Sequence, residues 1–158
     1  MASIKDRALQ LVPQTPIRSF VLYPVIVLIW ELLLNQGRLD VQPAFVLLMV
    51  WGYLQYRLCG RYRIRRGGGG PGLGKPPERL VDSGPYAWTR NPMYLGHVIF
   101  LTGLTLALNS LLAGLITVAT AVWFHARVLK DERQLADLLG RDYVEYRHRV
   151  KRWIPGLF

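Results

Sequence analysis

The sequence predicts an all-α integral membrane protein with about four transmembrane helices and a C-terminal amphipathic helix on the cytoplasmic side. Of the 158 residues 51% are apolar, and they occur in long blocks with few charges rather than with a helical or strand period. The formal net charge is +10, and the basic residues lie mostly between these blocks. A polar stretch, Ser83 to Gly96, leads directly into one of the blocks. Polar clusters at the mouth of a membrane helix usually mark a functional site.

Four apolar blocks predict the membrane spans, at about residues 17–35, 43–58, 92–108 and 110–129. A helix needs about 20 apolar residues to cross the hydrocarbon core, so the second and third spans are short. Pro24 predicts a kink in the first span, which neighbouring helices can tolerate. Asn109 and Ser110 predict a tight turn, which makes the third and fourth helices an antiparallel hairpin.

The distribution of positive charge predicts the orientation. Seven Lys or Arg residues lie between Arg57 and Arg79, and eight more lie from Arg127 onward, whereas the connections on the other side carry only Arg38. The positive-inside rule then places both termini and the central loop in the cytoplasm. The basic excess is thus explained by topology and by contact with anionic lipid. Nucleic acid is not an expected partner, because no basic stripe is interleaved with exposed aromatic residues.

The remaining composition predicts a single membrane domain over residues 1–158. The first 15 residues lack the compact apolar core and cleavage site of a signal peptide. Residues 67–77, GGGGPGLGKPP, predict a flexible linker. Cys59 is the only cysteine, which excludes an intrachain disulfide and a multi-cysteine metal site. No metal site is expected.

Residues 130–150 predict the amphipathic helix. Its apolar positions advance by three or four residues and form one stripe: Leu135, Leu139, Tyr143, Tyr146 and Val150. This pattern is typical of a helix that lies on the bilayer or docks under it. Gly140 predicts a bend.

Arg90, Asn91, Pro92 and Tyr94 form the first candidate site. Pro92 is well placed to be the first residue of the third helix, since its missing N–H needs no partner there. Asn91 is then the N-cap, and the free amides of the first turn with Arg90 could hold a ligand carboxylate. The alternative is a capped helix end with a snorkelling arginine.

Arg127 and Glu132 form the second candidate site. Five residues on a helix turn through about 140°, so these two share no face unless the helix bends. His125 and Glu132 do lie on one stripe and could hold an amine, a ribose hydroxyl or a cationic ligand. The ordinary alternative is an Arg127–Asp131 ion pair at i and i+4. His97 and His125, at matched depth in the hairpin, also allow a bis-histidine haem site.

Residues 78–96, ERLVDSGPYAWTRNPMYLG, resemble the conserved heart of the isoprenylcysteine carboxyl methyltransferase family, to which phospholipid N-methyltransferases are related. The second half of the family pattern is similar too: Glu132, Gly140, Tyr143, Tyr146, Val150 and the run Arg152 to Pro155. Short members of this type are typical of bacteria, which suggests an inner-membrane location. The family often has His where this chain has Asn91, so no histidine base is expected there.

The resemblance implies a membrane enzyme that uses S-adenosyl-L-methionine and methylates a lipid-like or small hydrophobic acceptor. The cytoplasmic loop 59–91 and the helix 130–150 would form the cofactor site. Arg127 and Glu132 would be catalytic, with Arg127 orienting the acceptor. Glu132 would also hold the cofactor, together with Leu80, Val81, Tyr86, Arg90, Asn91, Pro92, Met93, Tyr94 and His97. The acceptor atom could belong to a carboxylate, a thiol or an amine. The alternative is a non-catalytic membrane protein that binds lipid or haem.

Overall fold

The computed structural model describes residues 15–70 and 76–154, and within these ranges it is all-helical, with no strand. The long helices are α1 (Thr15–Leu34), α2 (Pro43–Gly67), α3 (Pro92–Leu108) and α4 (Leu111–Arg149), with a 3₁₀ turn at Gly84–Ala87. The predicted all-α class is confirmed for these ranges. The predictions for the N-terminal residues 1–14, for residues 71–75 of the linker and for Pro155 lie outside the described residues.

Two helices, α1 and α4, are long and apolar enough to cross a membrane. The apolar helix α3 has 17 residues, a length of about 26 Å, which is less than the roughly 30 Å hydrocarbon core. Helix α2 continues past the predicted end of its span at residue 58 and finishes in Arg65, Arg66 and Gly67. The structure therefore supports two candidate spans, and the prediction of four is not confirmed.

Helix α1 is irregular near Pro24. A π-helical turn, Arg18–Leu22, immediately precedes the α-helical segment Tyr23–Leu34. Proline cannot donate a backbone hydrogen bond, and a π-helical turn changes the bonding pattern locally. The irregularity thus lies beside the residue for which the sequence predicts a kink.

Helix α4 joins two segments that the sequence treats separately, the fourth span and the amphipathic helix. Its residues are helical throughout except Gly140, which has φ 60° and ψ −136°. A positive φ is easy for glycine and costly for other residues. The bend predicted at Gly140 is confirmed.

The described chain divides into two compact units. We call residues 15–53 with 97–118 the apolar unit, and residues 54–70, 76–96 and 119–154 the cavity unit. Helices α2, α3 and α4 each contribute to both. The prediction of one membrane domain stays a prediction.

The apolar unit has a core of buried aliphatic and aromatic side chains from α1, α3 and α4: Val27, Phe100, Leu101, Leu104, Leu108 and Ala113. Gly103 allows α3 to approach α2 closely, since a Cβ atom there would lie 2.8 Å from the backbone nitrogen of Met49. The Glu31 carboxylate accepts a hydrogen bond from the Ser110 hydroxyl at 2.6 Å. This bond joins α1 to the turn before α4.

Candidate functional site

The cavity unit contains an open cavity of about 370 Å³, a size that is ordinary for a small-molecule site. The predicted site residues in its lining are Leu80, Val81, Tyr86, Arg90, Asn91, Pro92, Met93, Tyr94, Arg127 and Glu132. These residues come from the loop after α2, the start of α3 and the middle of α4. The fold therefore brings the two candidate sites of the sequence to one cavity.

The start of α3 has the predicted form. The helix begins at Pro92, and the Leu95 amide donates to the Asn91 carbonyl at 3.0 Å, which makes Asn91 the N-cap by position. The Asn91 side chain does not cap the helix. Its Nδ2 donates instead to the Arg152 carbonyl at 3.2 Å.

The C-terminal segment after α4 holds the turn that precedes α3. The Arg90 amide donates to the Lys151 carbonyl at 3.0 Å. The Thr89 hydroxyl donates to the Arg152 carbonyl at 2.9 Å. The Arg90 guanidinium also donates to the Arg147 carbonyl at 2.7 Å. We call residues 150–154 the C-terminal strap, because its backbone fixes the turn at Thr89–Asn91.

Glu132 is 4% exposed and lies between two arginines. Its Oε1 is 3.0 Å from Arg90 Nη2 and accepts from Arg152 Nε at 3.1 Å, while Oε2 accepts from Arg152 Nη2 at 2.9 Å. The hydrogen bonds to Glu132 raise the pKa of Arg152 above its ordinary value. Both carboxylate oxygens are thus engaged, and Glu132 links α4 to the turn before α3 and to the C-terminal strap.

Tyr94, Arg127 and Asp131 form a second polar group in the cavity wall. The Tyr94 hydroxyl donates to Asp131 Oδ2 at 2.6 Å and accepts from Arg127 Nε at 3.0 Å. Arg127 Nε lies 3.8 Å from the same Asp131 oxygen, so the i, i+4 ion pair is present as well. The Arg127 guanidinium also lies 5.5 Å from the centre of the Trp123 ring. Arg127 therefore forms the ion pair with Asp131 and lines the cavity at the same time.

Tyr86 lies in the 3₁₀ turn and is buried. The turn needs Gly84, whose φ is 59° and whose missing Cβ would lie 2.8 Å from the Tyr62 ring. The Tyr146 hydroxyl donates to the Tyr86 carbonyl at 2.7 Å. Burial raises the pKa of Tyr86 well above its usual range, so the phenol stays neutral at physiological pH.

The apolar stripe of α4 packs inside the protein. Tyr143, Tyr146 and Val150 form a buried cluster, against which Leu80, Leu135 and Leu139 pack. The sequence predicts a helix that lies on the bilayer or docks under it and contributes to the cofactor site. Leu135, Leu139, Tyr143 and Tyr146 of the stripe line the cavity.

His97 and His125, the histidines considered for a haem site, belong to different units. His97, predicted to hold the cofactor, belongs to the apolar unit and is not among the lining residues of the cavity. It is fully buried, and its ring stacks on Phe20 with 4.4 Å between ring centroids. His125 belongs to the cavity unit, where its Nδ1 accepts a hydrogen bond from Trp153 Nε1 at 3.2 Å.

The lining also contains residues that the sequence did not single out as ligand-binding: Arg63, Pro76, Pro77, Lys130, Asp131, Gln134, Leu135, Leu139, Tyr143 and Tyr146. The stripe spacing found Leu135, Leu139, Tyr143 and Tyr146 but gave them a packing role. No local signal distinguishes Arg63 from its neighbouring arginines. Among the described residues, no group of three or more His, Cys, Asp or Glu could hold a metal ion.

A profile of the phospholipid methyltransferase family matches residues 45–141. The chain belongs to this family. The match covers more than half of the chain and includes the start of α3 together with Arg127, Asp131 and Glu132.

Curated relatives named protein-S-isoprenylcysteine O-methyltransferase are similar over about half of the chain. The human protein is 36% identical over 78 residues, which are 48% of this chain and 27% of the relative. The Saccharomyces cerevisiae protein is 33% identical over 48% of this chain and 32% of its own length. The Arabidopsis thaliana B form is 35% identical over 49% of this chain and 40% of its own length. The chain thus spans less than half the length of these relatives, and the resemblance to isoprenylcysteine methyltransferases is confirmed.

Proposed function

We propose that the protein is a membrane methyltransferase that uses S-adenosyl-L-methionine and methylates a lipid-like or small hydrophobic acceptor. The acceptor group is a carboxylate, a thiol or an amine. One observation carries the proposal. Residues from both halves of the methyltransferase-like pattern, which are separate in the sequence, line one cavity.

The lining suits the cofactor chemically. The buried ring of Tyr86 and the side chains of Leu80 and Val81 offer a flat aromatic and apolar wall for an adenine ring. Asp131 with Arg127 and Lys130 offers charges of both signs, as a zwitterionic amino-acid group requires. When bound, the cofactor supplies an electrophilic methyl group on a sulfonium sulfur.

Glu132 acts in this proposal as a positioning residue rather than as the direct cofactor ligand that the sequence predicts. Both of its oxygens already accept from Arg90 and Arg152. Its charge fixes Arg90, and with it the turn that begins α3. A site held rigidly by such pairing keeps the reacting groups in one geometry, which is the main requirement for a displacement reaction.

Arg127 is placed to orient an anionic acceptor. Its side chain lines the cavity and is held by Tyr94, by Asp131 and by the Trp123 ring. A carboxylate or thiolate needs no proton removed before it reacts. An amine must be neutral, and Asp131, whose side chain is 27% exposed, is the lining carboxylate that could accept its proton.

The membrane location rests on α1 and α4, which are long and apolar enough to cross a bilayer. A bacterial inner-membrane location with both termini in the cytoplasm remains part of the proposal, supported by the distribution of Lys and Arg. The cavity would then be open to a water-soluble cofactor from the cytoplasm.

The first test is calorimetric titration of S-adenosylhomocysteine into the full chain in nanodiscs, with Leu135→Trp and Leu138→Trp as paired variants. Leu135 lines the cavity, whereas Leu138 is 57% exposed on the same helix and is outside the lining. We expect micromolar binding in the wild type and in Leu138→Trp. We expect binding at least tenfold weaker in Leu135→Trp, because the added ring fills the cavity.

Absence of binding to the folded wild type in both detergent and lipid would contradict the proposal. It would favour the alternative of a non-catalytic protein that binds lipid or haem. A haem protein would be coloured, and its Soret band would disappear in His97→Ala.

A further inference from the structure

One exposed face of α2 combines basic and apolar side chains. At about 100° per residue, positions 54, 57, 58, 61 and 65 fall within an arc of about 100°. Leu54 and Leu58 on this face are 43% and 55% exposed. Arg57, Arg61 and Arg65 are exposed too. We call these five residues the arginine face.

The opposite side of α2 is the side that packs within the cavity unit. Cys59 and Gly67 are buried there, and Arg63 lines the cavity. Arg63 lies about 160° around the helix from both Arg61 and Arg65. Its side chain and theirs are therefore on different sides of α2. The arginine face is therefore separate from the cavity, and its occupant is not the methyl acceptor.

The three arginines are a source of electrostatic repulsion. They are spaced at i, i+4 and i+8, and like charges at this spacing destabilise a helix. None of them forms an ion pair with another residue in the ranges 15–70 and 76–154. Within the described ranges, the acidic residues in ion pairs, Asp82, Asp131, Glu132 and Glu145, all pair with other arginines.

We infer that the arginine face binds the headgroups of anionic phospholipids, with Leu54 and Leu58 against the acyl chains. The row from Arg57 to Arg65 extends over about 12 Å, which allows contact with more than one phosphate. The exposed leucines on the same arc favour a lipid over nucleic acid or a soluble anion, since only a lipid offers both charge and apolar surface. This inference does not depend on the methyltransferase proposal.

The test is native mass spectrometry of the full chain in detergent, titrated with phosphatidylglycerol or phosphatidylcholine of the same acyl chains. The variants are the triple change Arg57→Gln, Arg61→Gln, Arg65→Gln and a control triple, Arg38→Gln, Arg133→Gln, Arg141→Gln. The control also removes three positive charges, but from exposed arginines outside the arginine face. Circular dichroism and thermal unfolding verify that both proteins are folded.

We expect the wild type to retain phosphatidylglycerol about tenfold more strongly than phosphatidylcholine, and added salt to reduce the difference. The face triple should lose most of this preference, while the control triple and an Arg-to-Lys triple at positions 57, 61 and 65 keep it. Equal retention of the two lipids, or an equal loss in the control triple, would overturn the inference.

Two competing ligands distinguish a lipid headgroup from free phosphate and from nucleic acid as the anion that the arginine face binds. Inorganic phosphate at millimolar concentration should not displace the lipid, because it makes no contact with Leu54 and Leu58. If phosphate displaces it fully, the face is a simple anion site. If a short oligonucleotide displaces it at lower concentration than phosphatidylglycerol, the face binds nucleic acid. Either result would overturn the assignment to lipid.

Discussion

Glu132 joins three separate parts of the chain through one buried carboxylate: α4, the turn before α3 and the C-terminal strap. Its partners differ in exposure, since the side chain of Arg90 is 9% exposed and that of Arg152 is 25% exposed. Removing one member of a buried ion pair leaves an uncompensated charge, which costs more than the pair itself contributes. We therefore expect the main effect of substituting Glu132 to be a lower stability of the fold rather than a direct loss of a reacting group.

We expect Glu132→Gln to lower the free energy of unfolding by about 3 kcal/mol, because two guanidinium groups lose their counter-charge. Thermal unfolding in detergent, followed by circular dichroism, measures the change. Arg152→Gln should cost less, since Glu132 keeps Arg90. Asp137→Asn, an exposed carboxylate on the same helix, is the control and should change stability by less than about 0.5 kcal/mol. An unfolding curve for Glu132→Gln that overlays the wild type would contradict this prediction.

Among the elements, the contact between α2 and α3 in the apolar unit depends on Gly103. The space there is closed by the backbone of Met49, which cannot rotate away as a side chain can. Gly114 provides the contrast, because a Cβ atom there would meet only Thr105 Cγ2, at 3.5 Å, an ordinary contact distance.

Gly103→Ala should therefore destabilise the protein by about 1–3 kcal/mol, since the two helices must move apart. Gly114→Ala should be neutral or stabilising by up to about 1 kcal/mol, because alanine is the better helix former. The measurement is the midpoint of thermal unfolding for both variants under identical detergent conditions. Equal effects of the two substitutions would show that the approach at Gly103 is not tight.

Elements that depend on neighbouring residues could be predicted from the sequence, and contacts between distant residues could not. The start of α3 at Pro92 and the break at Gly140 follow from the backbone properties of proline and glycine. The Glu132–Arg152 pair depends on how the chain returns after α4, which no spacing along one helix encodes. The Tyr94–Asp131 bond likewise joins two helices. The resemblance gave half of the residues that line the cavity, because it combines residues from both parts of the chain.

For the whole molecule, two membrane topologies can be compared, since two helices are both long and apolar enough to cross and the sequence predicts four spans. The two alternatives place the loop after α2 on opposite sides. With four spans, residue 79 lies on the same side as residue 133. With only α1 and α4 crossing, residue 79 would lie on the same side as residue 38, which would separate Asp82 from Arg149, its ion-pair partner at 3.1 Å.

Single cysteines at three exposed positions, Arg38→Cys, Arg79→Cys and Arg133→Cys, distinguish these topologies. The native Cys59 is 4% exposed, so the wild type should label weakly with an impermeant maleimide and provide the background. In right-side-out vesicles we expect only the cysteine at position 38 to label, because the positive-inside rule places the arginine-rich loop and the end of α4 inside. Detergent should then expose all three. Labelling at positions 38 and 79 together would establish two crossings and would contradict the arrangement in which the loop after α2 and helix α4 line one cavity.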